Sequence, residues 1–181
     1  MIIEDGTGNG YKTRVNEENL LGVYAIVVPI EQHVNHTTRR TYSCVIEQTP
    51  SGAEYYFCYL KNISIYDLII TAMKIYTPSL ESISVYLNPS GTAVGTTYIP
   101  VNKYAGSGET ADITAVVGNN ITGLSGGSLA DKIIVLGSSI GMTNVDRISN
   151  IIIPKNTSIA FSAVTGSIKI NATLEMYFHN I

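Results

Sequence analysis

Apolar and polar residues alternate one for one from Ile168 to Phe178. A period of two places successive side chains on opposite faces of a β-strand, so this segment predicts a strand with one buried face. Similar segments recur along the chain, separated by turns rich in Gly, Pro, Asn and Ser. The other predicted strands are Leu20–Val28, Tyr42–Gln48, Glu54–Lys61, Asp67–Tyr76, Ser82–Leu87, Thr96–Val101, Ala111–Val117, Lys132–Leu136, Ile148–Ile153 and Ser158–Ala163.

No stretch of 12 or more residues shows the spacing of apolar positions that is typical of an amphipathic helix. Many short strands without helical crossovers favour an antiparallel sheet over a parallel one. We therefore predict an all-β fold, an antiparallel β-sandwich of jelly-roll type, formed by a single domain over residues 20–181. Residues 1–19 are polar and glycine-rich and lack a strand period, which predicts an extended N-terminal arm. The glycine-rich segment Gly123–Gly127 predicts a long surface loop.

A short turn segment separates the two predicted strands Tyr42–Gln48 and Glu54–Lys61, so we predict that they pair as a hairpin. In that register Gln48 faces Glu54 and Cys44 faces Cys58. Two cysteines are too few for a disulfide framework, so we expect both to be reduced core residues, with a bridge between them as the alternative.

The balance of acidic and basic residues indicates which classes of partner the chain is not expected to bind. Lys and Arg total 11 against 14 Asp and Glu, and charged residues make up only 14% of the sequence. This composition argues against a basic nucleic-acid-binding surface.

The residues before Glu4 lack a basic, apolar leader, and no apolar run is long enough to span a bilayer, so we expect neither secretion nor a membrane partner.

Glycines at Gly6, Gly8 and Gly10 suggest a ligand loop, but neither familiar type fits. A dinucleotide fingerprint needs a preceding strand and a following helix, and neither is predicted here. A calcium loop counted from Asp5 places Asn16 where a bidentate glutamate is required. A plain glycine turn therefore remains the favoured interpretation, and we expect no cofactor.

Three further motifs have a catalytic or binding interpretation. Gly137–Gly141 fits the nucleophile elbow of serine hydrolases, with Ser139 as nucleophile and Asp146 and His179 following in hydrolase order, but no helix is predicted after it. The pair His33 and His36 lacks a third zinc ligand nearby, so loop histidines in solvent are expected. The remaining candidates are given simple structural interpretations: Arg39–Arg40 is too small a basic patch for nucleic acid, and Tyr55, Tyr56, Phe57 and Tyr59 are expected to pack within a sheet.

Four segments of the chain carry motifs in a fixed order. They are Glu4–Asn16 with Asn19 and Leu20, then Tyr59–Asn62 with Asp67 and Leu68, then Tyr86–Pro89 with Gly91 and Thr92, and finally Ile152–Ser158. They are similar to a D-G-T-G-x-G opening, a Y-L-K-N strand, an N-P-x-x-G-T turn and an apolar-P-K turn, and in this order they resemble a family of small virion structural proteins of tailed phages. In the last segment Asn156 replaces the family's glycine, and the section from Tyr98 to Asp131 matches only loosely.

The resemblance implies a non-enzymatic virion protein, made in the host cytoplasm. We expect an auxiliary or decoration subunit that binds the major capsid protein, forms a symmetric homo-oligomer with a trimer among the candidate states, and docks through its N-terminal arm. The expected contact residues are Asp5, Tyr11, Lys12, Arg14 and Val15. A tail or head-fibre component that touches host glycans is the alternative, and a serine hydrolase acting through Ser139 is a remote one.

Overall fold

The computed structural model describes residues 3–4, 12–13, 30–137 and 145–179. Apart from one short helix, the regular secondary structure of the described chain consists of β-strands. In chain order the elements are β1 (Ile3–Glu4), β2 (Lys12–Thr13), α1 (Ile30–Thr38), β3 (Thr41–Gln48), β4 (Tyr55–Asn62), β5 (Asp67–Tyr76), β6 (Glu81–Leu87), β7 (Ser90–Tyr98), β8 (Val101–Asn102), β9 (Ile113–Ser125), β10 (Ser128–Val135), β11 (Val145–Ile153), β12 (Ser158–Ala163) and β13 (Ile170–His179).

The strands form two antiparallel sheets packed face to face, which confirms the predicted β-sandwich. The six-stranded sheet has the order β10-β6-β12-β4-β9-β7, and the five-stranded sheet has the order β11-β5-β13-β3-β8. Strands β1 and β2 pair separately with each other, Ile3 opposite Thr13 and Glu4 opposite Lys12. These two short strands lie within the predicted arm, and the arm as a separate docking segment stays a prediction.

The side chains between the sheets form one apolar core to which strands of both sheets contribute. The predicted alternation of β13 is confirmed from Ile170 to Met176, since Ile170, Ala172, Leu174 and Met176 are buried while the residues between them are partly exposed. It ends there, because Tyr177, which was expected on the more exposed face, is buried. Most other predicted strands are confirmed to within a few residues. The predicted strand Leu20–Val28 lies outside the described residues.

The predicted hairpin between Tyr42–Gln48 and Glu54–Lys61 is wrong. Strand β3 pairs with β13, and β4 pairs with β12 and β9, so the two predicted hairpin strands lie in different sheets. The prediction assumed that consecutive strands pair, but here the turn after Gln48 carries the chain across the edge of the core. Cys44 and Cys58 are both buried and free, and they meet between the sheets instead. The contact with the Cys44 thiol and burial both raise the pKa of the Cys58 thiol.

The predicted loop Gly123–Gly127 is also wrong, since β9 continues to Ser125 and only Gly126 and Gly127 separate it from β10. Strand β7 begins at Ser90, earlier than predicted. In the β7–β9 ladder, Gly91 and Gly123 have φ angles of 106° and 77°. A Cβ atom at Gly123 would lie 2.2 Å from the carbonyl oxygen of Thr92, so only glycine permits this close approach of the strands.

A second apolar cluster covers the opposite face of the six-stranded sheet. Its members alternate along their strands with residues of the main core, which places them on the outer side. The cluster contains Tyr59, Val116, Ile121 and Ala160, with Tyr56, Ala93 and Leu124 packed against it. Tyr56 and Tyr59 therefore pack on the sheet as predicted, and Phe57 belongs to the main core, but Tyr55 is exposed.

Helix α1 was not predicted from the sequence. It is nine residues long, shorter than the window in which a helical period can be recognised, and it packs against β13 and β3 through the buried Val34. The helix ends where Arg39 adopts a left-handed conformation with a φ of 58°. His33 and His36 therefore lie in a helix, and the prediction that they occupy a loop is wrong.

A buried carboxylate holds the connection between β12 and β13. Glu81, the first residue of β6, is fully buried. Its Oε1 accepts hydrogen bonds from the amides of Ser82 at 2.8 Å and Thr165 at 2.9 Å, and its Oε2 accepts one from the amide of Gly166 at 3.1 Å. Three N–H donors thus satisfy the two buried carboxyl oxygens, which form no ion pair with a basic side chain in the described ranges.

We predict that Glu81→Ala lowers the free energy of unfolding by about 2–4 kcal/mol, because it leaves three amides without an acceptor at a buried site. Urea denaturation followed by circular dichroism measures the change. The matched control is Glu47→Ala, which removes an exposed carboxylate paired with Lys169 and is expected to cost less than about 1 kcal/mol. Equal losses in the two variants would contradict this role of Glu81.

Candidate functional site

A cleft of about 490 Å³ lies beside helix α1 at one end of the sandwich. Three parts of the chain form it: the helix with the residues after it, the connection between β4 and β5, and the end of β13. The lining residues are His33, Val34, Thr37, Thr38, Arg40, Tyr66, Phe178 and His179. The cleft therefore combines three side chains that can carry positive charge with apolar and hydroxyl groups.

Arg40 is fixed by the backbone and by an aromatic ring. Its carbonyl oxygen accepts a hydrogen bond from the amide of Phe178 at 3.1 Å, which ties the segment after the helix to β13. The centre of its guanidinium group lies 4.4 Å from the centre of the Tyr66 ring. A hydrogen bond to Tyr66 raises the pKa of Arg40 and outweighs the opposite effect of partial burial, so the cation is held in place and stays charged.

Tyr66 is in turn held by Asn62, which is fully buried at the end of β4. The Asn62 side-chain amide donates to the carbonyl oxygens of Tyr66 at 2.7 Å and of Ile153 at 2.8 Å. Its Oδ1 accepts a hydrogen bond from the amide of Ser64 at 2.9 Å. One side chain thus fixes the β4–β5 connection and links it to β11 in the other sheet.

The two threonines of the cleft have already used their hydroxyl hydrogens. Thr37 donates to the carbonyl oxygen of His33 at 2.8 Å, and Thr38 donates to that of Val34 at 2.9 Å. Their oxygens can still accept hydrogen bonds. The ring of His179 packs edge-on against Tyr177, with 6.4 Å between the ring centres. The side chains left as donors to a ligand are therefore Arg40, His33, His179 and the hydroxyl of Tyr66.

Arg39 and Arg40 do not act as one basic patch. Arg39 is exposed and lies over a different ring, with 4.8 Å between its guanidinium carbon and the centre of the Tyr104 ring. A neighbouring cleft of about 270 Å³ shares Arg40, Tyr66 and Phe178 with the first one but is also lined by Glu109 and Asp112. The charged side chain that lines the first cleft is thus a cation, whereas the neighbouring cleft is lined by side chains of both charges.

Two lysines pair with Glu175 on the outer face of the five-stranded sheet. Lys74 Nζ lies 3.4 Å from Oε1, and Lys103 Nζ lies 3.2 Å from Oε2. Partial burial by itself would raise the pKa of Glu175, but the two ammonium groups outweigh it and hold the pKa below its usual value. Because Lys74 is in β5 and Lys103 follows β8, the carboxylate links both sides of β13.

The predicted contact residues are only partly within the described chain. Lys12 lies in β2, where its backbone pairs with Glu4. Asp5, Tyr11, Arg14 and Val15 lie outside the described residues, and so do Ser139 and the calcium loop except for Lys12 and Thr13. Of the partners considered for Ser139, Asp146 lies in β11 and His179 lines the cleft. In the described ranges no group of three or more His, Cys, Asp or Glu side chains could hold a metal ion.

The cleft was not predicted from the sequence. In the sequence His33 is one half of an H-x-x-H pair and Arg40 is part of a short basic patch, while Tyr66 belongs to no recognised motif. The folded chain brings these three residues together from a helix, the segment after it and a distant turn, so no spacing in the sequence could indicate the site. The one available signal was a cationic segment next to histidines.

No protein-family model matches the chain, and neither the curated proteins nor the solved structures that were compared contain a match. Over the ranges that the structure describes, no helix could cross a lipid bilayer.

We predict that Glu175→Gln costs up to about 1 kcal/mol of unfolding free energy at pH 7, as expected for partly exposed ion pairs. An unfolded glutamate has a pKa of about 4.3, and the folded value is lower. The contribution is therefore fully present above that pH and is lost as the pH falls through the folded pKa. Urea denaturation at several values between pH 7 and pH 3 should show wild type and variant converging in acid.

Glu54→Gln is the control for this measurement, because Glu54 is exposed and forms no ion pair with another described residue. Its stability relative to wild type is expected to change little over the same pH range. A difference between wild type and Glu175→Gln that is constant with pH would contradict the assigned pairing.

Proposed function

We propose that the chain is a non-enzymatic structural protein of a phage virion, an auxiliary or decoration subunit that binds the assembled capsid and stabilises it. The sandwich is the rigid body of this subunit, and the N-terminal arm lies on a neighbouring capsid protein. Its partners are the major capsid protein and further copies of itself.

The order of the strands is the observation that carries this proposal. Eight strands, β3 to β6 and β10 to β13, can be numbered from one to eight along the chain. Their order is then 1-8-3-6 in the five-stranded sheet and 2-7-4-5 in the six-stranded sheet. This order supports a jelly roll, with β7, β8 and β9 inserted between the fourth and fifth strands. Jelly rolls occur in viral capsid proteins, and also in lectins and cupins.

The N-terminal resemblance favours the virion among these classes. The opening from Glu4 to Asn16, together with Asn19 and Leu20, resembles the start of tailed-phage virion proteins. A polar, glycine-rich segment of this kind suits docking through backbone hydrogen bonds, for example by adding a strand to an exposed sheet edge. Many identical copies on a lattice gain avidity, so each single contact can be weak.

Exposed apolar side chains support assembly with other protein. Leu80 and Leu136 flank the paired residues Glu81 and Val135 at the β10 edge of the six-stranded sheet, and Ile134 lies beside them. These three side chains are between 57% and 70% exposed. Contiguous exposed apolar groups of this kind are common at protein–protein contacts. They favour a homo-oligomer, with a trimer as the state to be tested first.

We predict that the protein is found in the head fraction of purified virions. Heads and tails are separated by density centrifugation after disruption, and each fraction is analysed by mass spectrometry for peptides of this chain. Peptides enriched in the heads, at many copies per particle, are the expected result. Enrichment in the tails would favour the fibre alternative, and peptides only in the infected-cell lysate would reject a virion role.

We also predict that reversing the charge of the arm with Lys12→Glu and Arg14→Glu weakens binding to capsids that lack the protein by at least about tenfold, a loss of about 1.4 kcal/mol per site. Deletion of residues 1–19 is expected to have a larger effect. Binding is measured by co-sedimentation over a range of protein concentrations.

The matched control reverses two exposed lysines of the sandwich away from the β10 edge, Lys155→Glu and Lys169→Glu, and so makes the same change in net charge. Circular dichroism melting shows whether each variant is folded. Equal weakening by the arm pair and the sandwich pair would indicate a general charge effect. Unchanged binding of the truncated protein would show that the arm is not the docking element.

A further inference from the structure

The donors of the cleft beside α1 are positioned for an anionic group. A guanidinium has five N–H donors, and the contact of Arg40 with Tyr66 occupies only part of this fork. His33 and His179 line the same cleft, and an imidazole donates an N–H whether it is neutral or charged. The described lining contains no carboxylate. An arginine with two histidines, in a lining without a carboxylate, suits a carboxylate or phosphate. The acids near Arg40, Glu109 and Asp112, line the neighbouring cleft instead.

The rest of the lining suits a ligand that also carries hydroxyl groups. Because Thr37 and Thr38 donate their own hydrogens to helix carbonyls, their oxygens are left as acceptors for hydroxyl hydrogens of a ligand. Val34 and Phe178 add an apolar surface to the same cleft, against which the C–H groups of a ring can pack. The lining thus offers cationic donors, neutral acceptors and an apolar wall.

The size of the cleft fits one small molecule. Its volume of about 490 Å³ exceeds that of two other clefts, which measure about 280 and 270 Å³. Sites for small ligands have volumes of about 300–1,000 Å³ and combine an apolar lining with a few converging polar groups. The two smaller clefts fall below this range.

We propose that this cleft binds an anionic sugar, a small ring with several hydroxyl groups and one carboxylate or phosphate. The anionic group contacts Arg40 and the two histidines, the hydroxyls donate to the threonine oxygens, and the ring packs against Phe178. The site is independent of the proposed capsid role, because it involves neither the N-terminal arm nor the β10 edge.

The test measures the binding of three probes to the full chain, by titration calorimetry and by NMR of the imidazole nitrogens. Glucuronate supplies the carboxylate, glucose 6-phosphate supplies the phosphate, and glucose is the neutral control. We expect saturable binding of at least one anionic probe at millimolar or lower concentration, with shifts of the His33 and His179 resonances. Glucose should bind at least about tenfold more weakly. The preferred probe identifies which anionic group the site accepts.

Arg40→Gln should weaken binding of the preferred probe at least about tenfold. Arg39→Gln is its matched control, because it removes the same charge from the adjacent position but leaves the cleft lining unchanged. If Arg40→Gln fails to fold, the His33→Gln variant tests the proposal instead. Because His33 is exposed on the helix, this substitution is expected to weaken binding about threefold or more without loss of stability.

The proposal is overturned by either of two results. The first is that no anionic probe binds more tightly than glucose. The second is that a probe binds but its affinity falls equally in Arg39→Gln and in the cleft variants, which would indicate a general charge effect. In either case the contact of Arg40 with Tyr66 has only a structural role.

Discussion

Most consecutive strands of this chain lie in different sheets, and the rest of the structure depends on that constraint. Each connection then crosses an edge of the apolar core, where backbone groups lose water and lack a neighbouring strand. Two buried polar side chains satisfy such groups. Asn62 joins the β4–β5 connection to β11, and Glu81 accepts three amides at the start of β6 and after β12. These side chains therefore stabilise the sandwich at two of its connections.

The hydrogen bonds of Asn62, which join the β4–β5 connection to β11, also help to form the cleft. Asn62 fixes the backbone of Tyr66, and the ring of Tyr66 lies under the guanidinium of Arg40. Arg40 is bound through its carbonyl oxygen to the amide of Phe178 in β13. A cationic group at the mouth of a cleft is thus supported by a buried polar network rather than by a flexible loop. Such support keeps the donors in one geometry before any ligand arrives, which reduces the cost of ordering them on binding.

The sequence predicted the strands well because a local property, the period of two, determines which residues face a core. It predicted the pairing of β3 and β4 wrongly, because either partner leaves the same faces buried, and only the whole sheet decides between them. Helix α1 was missed since nine residues are too few to show a helical period. The cleft could not be predicted at all, because His33 in α1 and Arg40 just after it meet Tyr66, in the β4–β5 connection, only in the folded chain.

The two proposed binding roles lie in regions of different sequence and chemistry. The cleft beside α1 is built on a rigid scaffold and offers a few directed donors, which suits a small ligand. The N-terminal segment is rich in glycine and polar residues, and such a sequence gains order from a protein partner rather than from its own core. With only 14% charged residues the sequence provides little long-range steering, so in the proposed role association would rely on short-range contacts repeated over many copies. A subunit of a large symmetric assembly meets that requirement, because the lattice supplies the repetition that a single weak contact lacks.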